Sequence, residues 1–265
     1  MTVAWERWLR GYEVEYVEED EYGEGEDWIG SLAGQIRRAW KSWGFVGFFI
    51  FGRQGAGKTT LALLLAKEVY GSWRRALSHL YFSPDEIERA IRAAVESVHR
   101  RRVSEARIPV IVWDDAGVWA SKYLIREEGG ARYAMAVQNL VELARRITAS
   151  MIVTATAPSR TLTAFRTQEW YYIKVQGPFT EHGRKFSRAT IYQLNFSPLG
   201  RAYVRRRGNN LSFPLGLPDR VRQAYEDRMY SYVRRAPLYF SEIFDEEKLS
   251  TREKGESSPL NDEEP

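Results

Sequence analysis

The fold is decided by Gly52-Arg53-Gln54-Gly55-Ala56-Gly57-Lys58-Thr59, which fits the pattern G-x-x-x-x-G-K-[ST] without a gap. The run before it, Val46-Gly47-Phe48-Phe49-Ile50-Phe51, is short, apolar and rich in strand-forming residues. The run after it, 60–68, is rich in leucine and alanine and favours a helix. A strand, a glycine-rich turn and a helix in this order form the context that the pattern requires. The sequence therefore predicts a phosphate-binding loop.

The residue types of this loop predict how a nucleotide is held. Glycines let backbone N–H groups curl around a phosphate, and the helix start adds unpaired N–H donors. Lys58 can reach the β- and γ-phosphates, and the hydroxyl of Thr59 can bind Mg²⁺. We therefore expect ATP and Mg²⁺ as cofactors. The predicted nucleotide-binding residues are Gly52, Arg53, Gln54, Gly55, Ala56, Gly57, Lys58, Thr59 and Thr60.

A second apolar run, 108–113, ends in the acids Asp114 and Asp115. Its continuous apolar character predicts a buried parallel strand. An acid at the carboxyl end of such a strand, beside a phosphate loop, is the Walker B arrangement, in which Asp114 holds Mg²⁺ directly or through water. Asp115 stands where many P-loop ATPases carry a glutamate that polarises the attacking water, so it is a candidate catalytic residue. The alternative is a capping or turn role for Asp-Asp-Ala-Gly.

Charge is distributed unevenly along the chain. Residues 1–27 carry ten acidic and two basic residues, and residues 245–265 carry eight and three. Since the whole chain has a formal net charge of +4, residues 28–244 carry +17. Such a basic body attracts phosphate polymers, so DNA is a predicted partner, although an arginine-rich solvated surface would show the same charge.

Composition excludes several classes of protein. There are no cysteines, so neither disulfides nor a thiolate metal site is expected. No apolar run approaches 18 residues, and the first residues do not resemble a secretory signal. We therefore expect a cytoplasmic protein without a membrane span. The many arginines and the few asparagines and glutamines are a weak compositional indication of a thermophile.

Composition and periodicity divide the chain into four segments. Residues 1–27 are predicted to be a flexible acidic arm that covers the basic surface, binds a protein partner or increases solubility. Residues 28–184 are predicted to be the ATPase core, which begins with an amphipathic helix. Residues 185–244 are predicted to be a β-hairpin followed by a helix that starts at Pro218. Residues 245–265 are predicted to be disordered.

Periodicity also places the elements inside the core. Strands are predicted at 76–82, 150–155 and 170–175, and helices at 84–101 and 133–147. The predicted fold class is α/β, a three-layer P-loop NTPase with a mainly parallel central sheet, extended by the C-terminal hairpin and helix.

This order of elements resembles the additional-strand class of P-loop ATPases, which includes AAA+, RecA-like and FtsK/HerA-type enzymes. In that class a sensor strand lies between the two Walker strands. The resemblance implies that Thr154 or Thr156, at the end of the predicted strand 150–155, contacts the γ-phosphate. The alternative is that both threonines serve only strand formation.

Two families within the class share motifs with this chain. Residues 140–159 resemble the FtsK/HerA segment in which an arginine-ended helix leads into a strand that closes with Ala-Thr-Gln and a nearby proline. Ala155, Thr156 and Pro158 match, whereas Ala157 stands at the glutamine position. Asp-Asp-Ala-Gly instead is similar to helicase-loader AAA+ proteins, although the helical lid of that family is not evident.

In these families a neighbouring subunit supplies an arginine for hydrolysis, so a ring-shaped homo-oligomer is implied. The candidate arginines are Arg160 and Arg166. The predicted hairpin is basic, and its candidate nucleic-acid contacts are Arg201, Arg205, Arg206 and Arg207.

Together these features predict an ATP-hydrolysing motor that translocates or packages DNA. The alternative is an AAA+ switch ATPase that loads or regulates a replication helicase or initiator. A small-molecule kinase is disfavoured by the paired acids and the sensor-like strand.

Overall fold

The computed structural model describes residues 15–22, 27–98, 106–121, 130–158, 161, 165, 170–196 and 202–235. The strands are β1 (Glu15–Tyr22), β2 (Val46–Phe51), β3 (Leu80–Tyr81), β4 (Ile111–Trp113), β5 (Ser150–Ala155), β6 (Trp170–Glu181), β7 (Arg184–Phe196) and β8 (Ala202–Pro214). The helices are α1 (Trp28–Lys41), α2 (Lys58–Tyr70), α3 (Trp73–Ser78), α4 (Pro84–Val98), α5 (Gly130–Ile147) and α6 (219–235). None of these helices combines the length and apolar character needed to cross a bilayer.

The strands form one eight-stranded sheet in the order β1-β8-β7-β6-β2-β5-β4-β3. Neighbours pair in parallel except at β7, which is antiparallel to both β6 and β8. The fold is therefore α/β with a mostly parallel sheet, as predicted. Strand β5 lies between β2 and β4, which is the order that the sequence analysis expects for the strand 150–155.

Strand β2 shows how the sheet is buried on both faces. Phe48 and Ile50 pack in one apolar cluster with residues of α1 and α2. Phe49 and Phe51 point the other way and pack in a second cluster with residues of α4 and α5. Because successive strand side chains alternate between faces, a strand covered on both faces is apolar throughout, which is the pattern of 46–51.

Two predicted strands are shorter in the structure. Residues 76–78 belong to α3, and only Leu80–Tyr81 form β3. Ala76 is fully buried, so the apolar pattern of this segment reflects a short helix on the core rather than a long strand. Strand β4 begins at Ile111 rather than at residue 108. Pro109 cannot donate a ladder hydrogen bond, and Ile108 forms only an isolated bridge with Thr148.

The predicted hairpin extension is part of the same sheet. Strand β6 runs to Glu181, and β7 begins at Arg184 after a tight turn formed by His182 and Gly183, both with positive φ. The predicted boundary between 184 and 185 therefore falls at the start of β7, inside a continuous hairpin. The predicted pairing of the two basic-hairpin strands is observed as β7 with β8.

The acidic arm requires a correction. It was expected to be flexible, but residues 15–22 form strand β1, which pairs in parallel with β8. The backbone of this segment pairs with the edge of β8 and is ordered by that pairing, whereas its acidic composition indicates disorder. The cross-strand neighbours include Val17 with Arg205 and Glu18 with Arg206.

Candidate nucleotide site

The phosphate loop joins β2 to α2, and two of its glycines are required by its shape. Gly57 adopts φ +102°, and a Cβ there would lie 2.3 Å from Cδ2 of Leu215. Gly52 adopts φ +155°, and a Cβ there would lie 2.4 Å from the backbone oxygen of Val175. Since α2 begins at Lys58, its first N–H groups open toward the loop. The conformation of the loop thus requires glycine at both positions.

Lys58 is the first residue of α2 and interacts both with the loop and with the two acids that follow β4. Its Nζ donates a hydrogen bond to the backbone oxygen of Arg53 at 3.1 Å. Burial lowers the pKa of Lys58, and the nearby carboxylates of Asp115 and Asp114 oppose that effect. The amine is therefore close enough to both carboxylates to interact with them electrostatically.

Asp114 is the centre of a hydrogen-bond cluster and is only 2% exposed. The hydroxyl of Thr59 donates to its Oδ1 at 2.9 Å and lies 3.1 Å from its Oδ2. The hydroxyl of Thr154 donates to Oδ1 at 2.7 Å, and that of Tyr225 donates to Oδ2 at 2.9 Å. Three elements, α2, β5 and α6, thus converge on the acid at the end of β4.

Asp115 follows in a left-handed conformation with φ +51°, which ends the strand. Its backbone N–H donates to the hydroxyl oxygen of Thr154 at 2.8 Å. Burial and then the charge of Asp114 raise the pKa of Asp115, whereas Lys58 lowers it. This hydrogen bond helps to hold Asp115 in a backbone conformation that residues other than glycine seldom adopt. Such conformations are concentrated at functional sites.

The two candidate threonines differ in burial, and the two candidate arginines lie outside the described residues. Thr154 is buried against Asp114, whereas Thr156 is exposed just beyond the end of β5. Arg160 and Arg166 lie outside the described residues, so their predicted roles stay predictions.

A cavity of about 500 Å³ opens beside the phosphate loop. One wall contains loop and α2 residues, among them Lys58, Thr59 and Thr60. The other wall comes from the start of β7, the segment after β8 and the first turns of α6, with the residues Lys185, Leu215, Gly216, Leu217, Arg222, Tyr225 and Glu226.

None of the residues of this second wall belongs to a motif in the sequence. The only local signal is the helical spacing of Val221, Tyr225 and Tyr232, which predicts that one face of α6 is covered. Burial, and secondly the charge of Asp114, raise the pKa of Tyr225, so its hydroxyl remains a hydrogen-bond donor at neutral pH.

Three of the predicted nucleic-acid residues lie on β8. Arg205, Arg206 and Arg207 are half-buried, and Nε of Arg207 donates to Oε1 of Gln193 at 3.0 Å. Strand β1 runs along the outer edge of β8, so the acidic arm borders this basic strand. Arg201 lies outside the described residues.

The oxygen donors of the site fit a magnesium nucleotide. Mg²⁺ usually keeps several waters and takes one or two protein oxygens together with substrate phosphates. The hydroxyl of Thr59 and the carboxylate of Asp114 are such oxygens, placed beside a cradle in which a Cβ at Gly57 would clash. Among the described residues no group of three or more His, Cys, Asp or Glu forms a cage of protein ligands for a metal. The site would therefore hold its metal together with the nucleotide.

The chain is similar to two viral proteins. It is 33% identical over 166 residues to the uncharacterized protein B-251 of Sulfolobus spindle-shape virus 1, with 60% of this chain and 59% of that protein covered. It is 28% identical over 214 residues to the uncharacterized protein ORF286 of Acidianus two-tailed virus, covering 77% and 70% of the two chains. The chain thus spans less than two thirds of the first relative.

No protein-family model matches the chain. Among solved structures, a KaiC-like protein from the hyperthermophilic archaeon Pyrococcus horikoshii OT3 is similar over 60% of this chain and 89% of its own. The identity is 14% and the TM-score is 0.30.

Proposed function

We propose that this chain is a P-loop ATPase that binds ATP with Mg²⁺ and hydrolyses it. The observation that carries the proposal is the hydrogen bond between Thr59 and Asp114, which joins the phosphate loop after β2 to the acid after β4. In P-loop NTPases the hydroxyl and the acid at these two positions serve one Mg²⁺. The proposal includes the three-layer arrangement, which is supported by apolar clusters on both faces of the sheet.

The residues of the site divide the chemistry among them. Lys58 and the loop N–H groups stabilise negative charge on the phosphate oxygens. Asp115 orients the attacking water and accepts its proton, while the water oxygen bonds to the γ-phosphorus and the bond to the β–γ bridging oxygen breaks. Thr154 or Thr156 responds to the γ-phosphate. Bound Mg²⁺ would supply charge neutralisation at the phosphates.

Arg160 and Arg166 remain the candidates for an arginine that acts on a neighbouring subunit in a homo-oligomeric ring. Such an arginine can accelerate hydrolysis by about 10³-fold or more. Arg145 is less suited to this role, because its guanidinium lies over the ring of Phe45 at 5.4 Å and pairs with Glu142 at 3.4 Å.

The test of the ATPase proposal uses the full chain with a fluorescent ATP analogue and a phosphate-release assay. We expect binding that is tightened by Mg²⁺ and multiple turnovers of ATP. GTP and ADP as competitors would define base and phosphate preference. A chain that binds no nucleotide at millimolar concentrations would contradict the proposal.

We propose further that hydrolysis drives movement of DNA, in translocation or genome packaging. The support is the +17 charge of residues 28–244 and the arginines of β8. Both relatives belong to viruses, whose genomes must be moved into a particle, which agrees with this proposal.

The DNA role predicts that duplex or single-stranded DNA raises the ATPase rate severalfold in a salt-dependent manner. Replacing Arg205 and Arg207 with glutamine should weaken DNA binding and flatten its salt dependence, because each lost phosphate contact removes about one unit of slope. Replacing Arg234 and Arg235 with glutamine removes the same charge from the exposed end of α6 and serves as the control. DNA binding and ATP turnover are measured at salt concentrations between about 50 and 300 mM.

An ATPase rate that ignores DNA would leave the hydrolysis proposal intact and remove the motor. That outcome would favour the switch-type alternative, in which a protein partner, bound through the N-terminal arm, stimulates turnover.

The position of β1 predicts that the acidic arm competes with DNA. Because β1 pairs along β8 and places Glu18 opposite Arg206, deletion of residues 2–26 should strengthen DNA binding. Deletion of the acidic residues 245–265 is the control, since it also removes negative charge. Equal effects of both deletions, measured by fluorescence anisotropy of labelled DNA, would show that only net charge matters and would contradict a specific role for β1.

A further inference from the structure

The C-terminal helix α6 is held against the nucleotide site at several points. Its Arg228 donates hydrogen bonds to the backbone oxygens of Leu77 and Leu80, the latter at 2.6 Å. The first of these carbonyls belongs to the last turn of α3 and the second to β3. A guanidinium at a helix C-terminus satisfies open carbonyls and complements the helix dipole. The charge and geometry of Arg228 therefore fix α6 to the core.

Aromatic contacts also pack α6 against the site. Phe82 packs against the ring of Tyr225 at 6.0 Å and stacks on that of Tyr232 at 5.3 Å between centroids. Farther along the helix, the hydroxyl of Tyr232 accepts a hydrogen bond from Nε1 of the buried Trp119. The two tyrosines are thus anchored by the same phenylalanine, but their hydroxyls have different partners.

The partner of Tyr225 is the acid of the site. Oδ2 of Asp114 accepts from Tyr225 at 2.9 Å, and Oδ1 accepts from Thr154 at 2.7 Å. A donor on each oxygen fixes the plane of the carboxylate. The hydroxyl of Thr59, which also donates to Asp114, is itself a proposed Mg²⁺ ligand, and the hydroxyl of Thr154 also accepts from the backbone N–H of Asp115. Tyr225 is the donor to Asp114 that belongs neither to the loop helix nor to the sheet.

Groups that orient a metal-binding residue strongly affect metal affinity. Loss of a hydrogen bond to a metal-binding side chain typically lowers metal affinity or activity by about 10- to 100-fold. Nothing in the sequence motifs of the site assigns such a role to a residue in the last helix.

We propose that Tyr225 is a positioning residue: its hydroxyl orients Asp114 for the Mg²⁺ of a bound nucleotide, so α6 forms part of the nucleotide site. This inference rests on the proposed nucleotide function. The helix acts from the same chain that carries the loop, in addition to any arginine from a neighbouring subunit.

The test is the Tyr225→Phe variant of the full chain, which keeps the ring on Phe82 and removes only the hydroxyl. The probe is a fluorescent ATP analogue, titrated at fixed Mg²⁺ and then with Mg²⁺ varied. We expect the Mg²⁺ concentration at half-maximal enhancement of binding to rise by about 10-fold. Binding in EDTA should stay unchanged, because Lys58 and the loop contact the phosphates independently of Asp114.

Tyr232→Phe is the matched control. It removes a hydroxyl from the same helix and the same aromatic stack, but that hydroxyl contacts Trp119 rather than Asp114. We expect its Mg²⁺ dependence to match that of the unsubstituted chain. Thermal unfolding midpoints of both variants, followed by circular dichroism, separate a loss of folding from a loss of metal positioning.

The possible outcomes distinguish the positioning role of Tyr225 from the proposed ATPase function. A folded Tyr225→Phe protein with unchanged Mg²⁺ dependence, or an equal effect of Tyr232→Phe, would overturn the positioning role and leave the ATPase proposal standing. An unsubstituted chain that binds no nucleotide, with or without Mg²⁺, would overturn both. Weaker binding of Tyr225→Phe in EDTA as well would assign the hydroxyl to nucleotide contact instead of metal positioning.

Discussion

Replacement of Lys58 with alanine is expected to reduce ATP hydrolysis by at least about 10²- to 10³-fold, the typical loss when one preorganised charge is removed from a transition state. Lys58 is the only lysine of the loop, and its amine lies near both Asp114 and Asp115. Without it, those carboxylates would face the phosphates with less compensating charge. Phosphate release under saturating ATP and the binding of a fluorescent ATP analogue measure the effect.

Lys67→Ala is the control for this prediction, because Lys67 lies on the same helix and pairs with Glu68 at 2.7 Å on the surface. Its loss should leave turnover close to that of the unsubstituted chain. A Lys58→Ala protein that hydrolyses ATP at the normal rate would contradict the assignment of the loop, and with it the proposed function.

Replacement of Arg107 with methionine is expected to lower the free energy of unfolding by about 3–5 kcal/mol, because four backbone carbonyls would lose a buried charged donor. The guanidinium donates to the backbone oxygens of Ala39 and Trp40 at 3.1 Å each, of Thr148 at 2.9 Å, and of Gly44. It thus joins the last turn of α1 to the short connection between α5 and β5. Arg107 is only 6% exposed, so water does not easily replace these bonds.

Thermal or urea unfolding followed by circular dichroism measures this loss, which for a chain of this size corresponds to a midpoint lower by about 10 °C. Burial lowers the pKa of Arg107, yet a guanidinium remains charged at any working pH, so the effect should not depend on pH between neutral and mildly alkaline conditions. Arg92→Met, which removes an exposed pair with Glu88, is the control and should leave the midpoint almost unchanged. Equal midpoints for the two variants would contradict the structural role of Arg107.

Much of the candidate nucleotide site could be predicted because each of its two parts is a short contiguous segment of the chain. The loop motif requires a preceding strand and a following helix, and 46–51 and 60–68 carry the matching apolar patterns. The two acids follow a buried strand, and parallel strands bring their carboxyl ends to one edge of the sheet. The contact of Thr59 with Asp114 is the outcome of these local patterns.

Other parts were missed because they depend on contacts between distant segments. Tyr225 is 111 residues from Asp114 along the chain, and its helical periodicity indicates a covered face without indicating what covers it. Strand β1 was missed for a related reason. Its acidic composition favours disorder, and only the open edge of β8 supplies the backbone partners that order it.

By itself, the sequence determined a glycine-rich loop between a strand and a helix, and a second strand, ending in two acids, that this loop faces. These features could be predicted because the conformational freedom of glycine, helix propensity and apolar periodicity each act over a few residues. Only the tertiary structure decided that α6 closes this site through Tyr225, and that an acidic strand borders the arginines of β8. Those placements depend on which surfaces the finished sheet leaves open, and chain order does not specify them.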